Sequence, residues 1–282
     1  MKKLITISFI LFLFAVCASS ASATDLFTAA RSKIDATTAS NGFISITYTG
    51  RMDKNLKVQI TKDNVTYTYD LRKDGRTERF PLQMGNGQYA VTVLENVSGN
   101  DFAIIQSARF NVTLRDALAP YLVRSQIVNY TTSSAAVTAG RSAMGSGTTL
   151  DRVDKAYNYV ASNMSYDYAL AANPPAGYVP NIDSVWNSKK GICYDYSAIM
   201  VAILRDQGIP AQLCMGYAYD NIYHAWIEVY IDKAGTVATG SLKFDGKTYV
   251  LMDPTFLSTG AKSKDVLTYI STLSNYKKTK SY

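Results

Sequence analysis

The chain is poor in the residues that build metal clusters and disulfide scaffolds. Its 282 positions hold one histidine, three cysteines and two tryptophans, and charged side chains make up only 18%. One imidazole cannot contribute to a multi-histidine metal site, and the cysteines Cys17, Cys193 and Cys214 are too few and too scattered for a zinc or disulfide framework. There is no acidic calcium loop either, so no metal and no cofactor is expected. After the first sixteen residues no apolar run is long enough to span a bilayer, so no transmembrane anchor is expected. The net charge of +7 is modest, and part of it lies in Lys277, Lys278 and Lys280 near the end. No basic run is interleaved with aromatics as a nucleic-acid groove requires, which excludes nucleic acid as a partner.

Lys2 and Lys3 precede the apolar run Leu4 to Val16, and small residues follow to Ala21-Ser22-Ala23. Residues 1–23 therefore read as a secretory signal peptide, and the mature protein is expected to be secreted or held at the cell surface. Cys17 allows a lipoprotein alternative, but Val16 before it is bulkier than such a site prefers. Export would remove Cys17 and leave two thiols in an oxidising compartment. Cys214 lies in the apolar run Ala211 to Met215 and reads as a buried hydrophobe, not as a disulfide partner for Cys193.

Residues 24–115 alternate as half-buried strands do, in FISITY (43–48), LKVQI (56–60), VTYTY (65–69), YAVTV (89–93) and FNVTL (110–114). Asp74-Gly75, Asn86-Gly87 and Ser98-Gly99-Asn100 carry turn chemistry between them. This pattern predicts an antiparallel β-sandwich of immunoglobulin-like type, without a stapling cysteine pair, serving as a spacer or substrate-positioning module. Residues 116–147 read as a connector with a short helix near 135–143, and residues 148–282 as a catalytic domain. Thr148 and Asp151 form a capping-box-like start for its first helix. Val266, Leu267, Ile270 and Leu273 predict a last helix, and the tail from Asn275 reads as loose.

The chemistry concentrates in residues 191–216. Tyr196, Ile199, Met200, Ile203 and Leu204 recur at helical spacing, and Gly208 and Pro210 end the helix. Cys193 then sits in its first turn, where unpaired N–H groups and the helix dipole favour a thiolate. Gly191 before it predicts a sharp backbone turn. A lone cysteine is ordinarily a small core residue, but the single histidine, His224, opens an alternating run, and Asp253 ends the apolar run 249–252. If those strands pair antiparallel, His224 and Asp253 stand opposite one another at one end of the ladder, as a base and its orienting carboxylate require.

Four pieces in order, Gly191-Ile192-Cys193-Tyr194-Asp195-Tyr196-Ser197-Ala198, Gly208-Ile209-Pro210 with Gly216-Tyr217, His224-Ala225-Trp226 and Met252-Asp253-Pro254-Thr255, resemble the transglutaminase-like superfamily. The resemblance covers roughly residues 148–258 and implies a papain-related α+β catalytic domain with a Cys193, His224, Asp253 triad. It departs from the family pattern where a tryptophan often precedes the aspartate; Tyr249 and Val250 stand there. It also implies an aromatic wall for the substrate cleft, for which Tyr166, Tyr178, Tyr194 and Trp226 are the candidates. Trp186, at helical spacing with Ile182 and Val185, reads as core.

The activity so implied is that of a secreted, cysteine-dependent amide hydrolase, peptidase-like, working through a thioester on a protein or peptide substrate such as cell-wall peptide. The alternatives are transglutaminase-type acyl transfer that cross-links proteins, and a non-catalytic cell-surface binding module. The backbone N–H of Cys193 is one expected oxyanion donor, and Tyr166 is the guess for a second.

Overall fold

The computed structural model describes residues 26–219, 221–231, 249–260 and 263–282. The signal-peptide reading lies outside these residues. The chain divides into two compact units, Met1–Pro120 and Tyr121–Tyr282.

The first unit holds β1 (Leu26–Thr28), β2 (Ser32–Asp35), β3 (Phe43–Tyr48), β4 (Leu56–Lys62), β5 (Val65–Asp70), β6 (Glu78–Pro81), β7 (Gly87–Ser98) and β8 (Asp101–Val112). They form two four-stranded sheets, in the orders β1-β2-β3-β6 and β5-β4-β7-β8, with every pairing antiparallel. The chain changes sheet after β3, β5 and β6, the crossing pattern of immunoglobulin-like sandwiches. Alternation sets the inner faces: Ile44, Ile46 and Tyr48 on β3 and Val58 and Ile60 on β4 are buried, while their neighbours are half-buried. Each such aliphatic side chain contributes about 1.5–3 kcal/mol on leaving water. Between the sheets the Tyr48 hydroxyl donates to Glu95 Oε2 at 2.6 Å and the Ser32 hydroxyl to Gln106 Oε1 at 2.6 Å. The β4–β5 turn is made by Asp63 and Asn64, both at positive φ (47° and 65°), the two residue types that tolerate it best after glycine.

The second unit contains α1 (Ala135–Met144), α2 (Thr149–Asn163), β9 (Ser165–Tyr166), α3 (Tyr168–Ala172), α4 (Ile182–Ser188), β10 (Lys190–Gly191), α5 (Cys193–Asp206), β11 (Ala211–Ala218), β12 (Ile222–Tyr230), β13 (Tyr249–Met252), α6 (Pro254–Thr259), α7 (Lys264–Ile270) and β14 (Lys277–Ser281). The antiparallel sheet β13-β12-β11-β14 carries α5 on one face, and α1, α2, α4 and α6 close around that helix. Every residue of α5 from Asp195 to Arg205 is buried, so the helix is enclosed on all sides and does not merely bury one stripe. The capping box of α2 forms as its sequence predicts, Thr148 Oγ1 accepting from Asp151 N and Asp151 Oδ2 from Thr148 N. Among the described residues no helix is long and apolar enough to cross a membrane.

Three expectations change. The stretch read as a connector contributes α1 to the second unit, where Gly140 lets α1 approach Ile203 so closely that a Cβ there would stand 2.4 Å from its Cδ1. The last helix ends at Ile270. The tail is not loose: residues 277–281 form the edge strand β14 on β11. It is held because buried Arg205 donates to the Ala211, Val123 and Tyr282 carbonyls, and because Leu213 and Tyr282 exchange backbone hydrogen bonds.

Candidate active site

The first element of the site is a short parallel ladder in which Gly191 pairs with Tyr166, and Asp167 N donates to Gly191 O at 2.9 Å. It brings β9 beside the start of α5. Cys193 is the first residue of that helix and is partly exposed. Asp195 locks the turn: its Oδ2 accepts from Ile192 N at 2.8 Å and its Oδ1 from the Tyr178 hydroxyl at 2.7 Å. Burial holds the Asp195 carboxyl above its ordinary value despite those two donors. Gly191 is needed for space, not for an unusual φ, because a Cβ would meet Asp195 Cβ at 2.8 Å and Val185 Cγ1 at 3.0 Å. That replaces the sharp-turn reading of this glycine.

His224 comes from β12 and is 6% exposed; Asp253 follows β13 and is fully buried. His224 Nε2 and Asp253 Oδ2 lie 2.7 Å apart. The β12–β13 register, Ile227 on Met252 through Tyr230 on Tyr249, sets Asp253 diagonal to His224 and not directly across from it. The two share one end of the ladder, and a diagonal offset still lets long side chains meet. Asp253 is also the N-cap of α6: Oδ1 accepts from Thr255 N at 3.1 Å and Phe256 N at 3.0 Å, with Pro254 at the first helical position. The Phe256 ring stacks on the imidazole at 4.6 Å between centroids, 11° from parallel.

Burial alone would lower the imidazole pKa, but the charge and hydrogen bond of Asp253, joined by a hydrogen bond to the Cys193 side chain, push it up to about 10. Since Nε2 is engaged by Asp253, Nδ1 is left to face the sulfur. The structure thus brings Cys193, His224 and Asp253 into one hydrogen-bonded row. Its sulfur end is partly open and its carboxylate end is sealed.

Residues 136–254 match the core of the Transglutaminase-like superfamily. The transglutaminase-like core thus lies within the second unit. No curated protein matches the chain. Among solved structures, a Cytophaga hutchinsonii protein described as a candidate cysteine protease is similar with a TM-score of 0.43 and 13% identity, over 92% of this chain and 74% of that one. Red sea bream transglutaminase gives 0.34 and 12% over 83% and 54% of the two chains. A Parabacteroides distasonis protein described as a candidate protease gives 0.32 and 11% over 71% and 62%.

The other expected site residues separate. Tyr166 is half-buried beside the thiol; burial first, then the charge of Cys193, pushes its hydroxyl up to about 12. Tyr178 is half-buried and spends its hydroxyl on Asp195, while its ring meets Tyr194 edge-on at 6.3 Å. Trp226 is fully buried and packs on Tyr276 at 5.0 Å, so it belongs to the core of the transglutaminase-like unit and lines no cleft. Cys214 is fully buried, free of any disulfide, and its thiol is pushed well up by burial. Among the described residues no cluster of three or more histidine, cysteine or acidic side chains could hold a metal.

Three residues that hold the site escaped sequence reasoning. Phe256 lies in the Asp-Pro-Thr-Phe helix start, so its place one turn beyond the cap was readable from Asp253 and Pro254. Tyr157 donates to Asp253 O at 2.9 Å and accepts from Asp253 N at 3.2 Å, and Tyr276 donates to Asp253 Oδ2 at 3.0 Å. Nothing local in the sequence marks either tyrosine.

Proposed function

We propose that this protein is a cysteine-dependent amide hydrolase, peptidase-like, that works through a thioester with Cys193 as nucleophile, His224 as acid and base, and Asp253 as the group orienting the imidazole. The supporting observation is the continuous row from a partly exposed thiol at a helix start, through a buried imidazole, to a carboxylate whose oxygens are all engaged. An imidazole held protonated beside a thiol stabilises thiolate, the reactive form.

In the forward step the Cys193 thiolate adds to the amide carbonyl. The oxyanion is met by the backbone N–H of Cys193, one of the amides a helix leaves unpaired at its start, and by the Tyr166 hydroxyl. Collapse breaks the C–N bond as the imidazolium gives its proton to the leaving amine, leaving a thioester and a neutral imidazole. A water molecule, deprotonated by that imidazole, then releases the carboxylic acid and regenerates the thiol. Hydrolysis is favoured over transfer to a second amine because Cys193 is partly exposed, so water reaches the thioester without a dedicated subsite. The substrate class is a protein or peptide, including cell-wall peptide, met outside the cytoplasm after export by the leader; the preceding sandwich serves to position it.

The test is alkylation by iodoacetamide across pH, followed by mass spectrometry. One thiol, Cys193, should react well below pH 8.5, an ordinary thiol's value, and His224→Ala should abolish that advantage. Slow labelling that is identical in both proteins would leave a binding module as the better account. A glutamine-containing protein incubated with a labelled primary amine separates the two enzyme outcomes: incorporated label means acyl transfer, whereas new termini or ammonia without label mean hydrolysis.

A further inference from the structure

Asp253 Oδ2 accepts from two side chains, His224 at 2.7 Å and Tyr276 at 3.0 Å, in a region closed to water. Tyr276 lies outside the residues that match the family core, immediately before the edge strand β14. Its position is built by several independent contacts. Its ring packs on Trp226 at 5.0 Å and on Tyr269 at 5.7 Å. The strand it leads into is seated on Gly216, where a Cβ would stand 2.1 Å from the Lys277 carbonyl oxygen. Gly216 is the β11 partner of His224, so the backbone that carries the imidazole is also the one cleared for β14.

We infer that Tyr276 is a positioning residue for the proposed reaction: by sharing Oδ2 with His224 it fixes the carboxylate and weakens its hold on the imidazole proton. The inference rests on the proposed role of His224 as acid and base. A carboxylate oxygen that already accepts one hydroxyl hydrogen bond is a poorer acceptor for a second donor. An imidazolium bound to an unrelieved buried carboxylate would keep its proton too tightly to protonate a leaving amine. Tyr157 supplies the contrast within the same cluster. Among the described residues its hydroxyl bonds the backbone N–H and carbonyl of Asp253 and not its carboxylate, so it holds the residue in place.

Among the described residues, Cys193 from α5 acts on His224, and Tyr166 from β9, Tyr157 from α2 and Tyr276 act with Asp253; one step further out, Tyr223 from β12 faces Cys193, Tyr269 from α7 faces Tyr276 and Asp154 from α2 faces Tyr157. The Cys193 side chain hydrogen-bonds the imidazole, so replacing it with alanine removes that partner and leaves the contact with Asp253 to be read. His224 is the single histidine in the chain, and NMR of untagged protein reads it without ambiguity.

The experiment compares Cys193→Ala with the double variants Cys193→Ala/Tyr276→Phe and Cys193→Ala/Tyr157→Phe. Loss of the Tyr276 hydroxyl should move the imidazole midpoint to higher pH by roughly 0.5 or more. Loss of the Tyr157 hydroxyl should lower thermal stability and leave the midpoint in place. In protein that keeps Cys193, Tyr276→Phe should lower kcat by about tenfold with little change in KM. An unmoved midpoint in folded Tyr276→Phe protein, or equal movement in both tyrosine variants, would overturn the inference. Failure of the underlying reading shows elsewhere, as alkylation of Cys193 that does not depend on His224 in otherwise unaltered protein.

Discussion

The two units of this chain bury different things. Among the described residues, the buried polar groups of the first unit are Ser32, Gln83 and Gln106, all uncharged, and its strands show simple inward alternation. The second unit buries Asp154, Asp195, Arg205, His224, Glu228 and Asp253. A buried charge costs several kcal/mol unless it is paired and hydrogen-bonded, so a fold that keeps six of them has arranged partners for them. Where those partners include a partly exposed thiol, the arrangement points to chemistry; where they tie a strand down, as Arg205 does, it points to architecture. Burial of charge, more than burial of apolar surface, therefore separates the second unit from the sandwich.

That contrast can be broken by substitution. The largest effect should come from Cys193→Ala, which removes the proposed nucleophile and should cut amide turnover by about 10⁴-fold or more with little change in stability. Release of new amino termini from a protein substrate measures it. Asp253→Ala comes next. It removes the α6 cap and strands a buried imidazole, and should cost about 3–5 kcal/mol in denaturant unfolding.

Asp253→Asn keeps the cap and changes the pH dependence instead. The His224 pKa is raised in the folded state from 6.5 to about 10, so its contribution to stability is complete below pH 6.5 and is lost as pH rises through about 10. Unfolding free energy should therefore fall across that window in the parent protein, and Asp253→Asn should flatten the fall. An identical slope in both would mean that the carboxylate does not hold the imidazolium.

In the sandwich, Ile46→Ala should cost about 2–5 kcal/mol in the stability of the first unit while leaving the rate of Cys193 alkylation unchanged. A large change in that rate would erase the proposed division of labour. The smallest effect belongs to Cys214→Ala, about 1 kcal/mol with no change in labelling, because that thiol is sealed in the central strand β11.

The sequence went far toward this arrangement because the relevant signals are local. Helical spacing after Cys193, alternation from His224 and the Asp-Pro start at residue 253 each follow from a few neighbouring side chains. The sandwich strands were legible for the same reason, since alternation with a period of two needs only one buried face. Trp226 shows where that reasoning stops. It stands in the His-Ala-Trp motif and reads as a cleft residue, yet both faces of its strand are covered, and only the packing of Tyr276 against it makes that visible.

What the sequence determined alone is which groups can react and on which elements they ride: one thiol at a helix start, one imidazole on a strand, one carboxylate at a helix cap. Tertiary structure decided the rest. It set the diagonal offset between His224 and Asp253, the space that makes Gly191 and Gly216 necessary, and the docking of the lysine-rich end as β14, which delivers Tyr276 to the carboxylate. These depend on contacts between residues far apart in the chain, whose geometry is fixed by close packing and not by the preferences of any short segment.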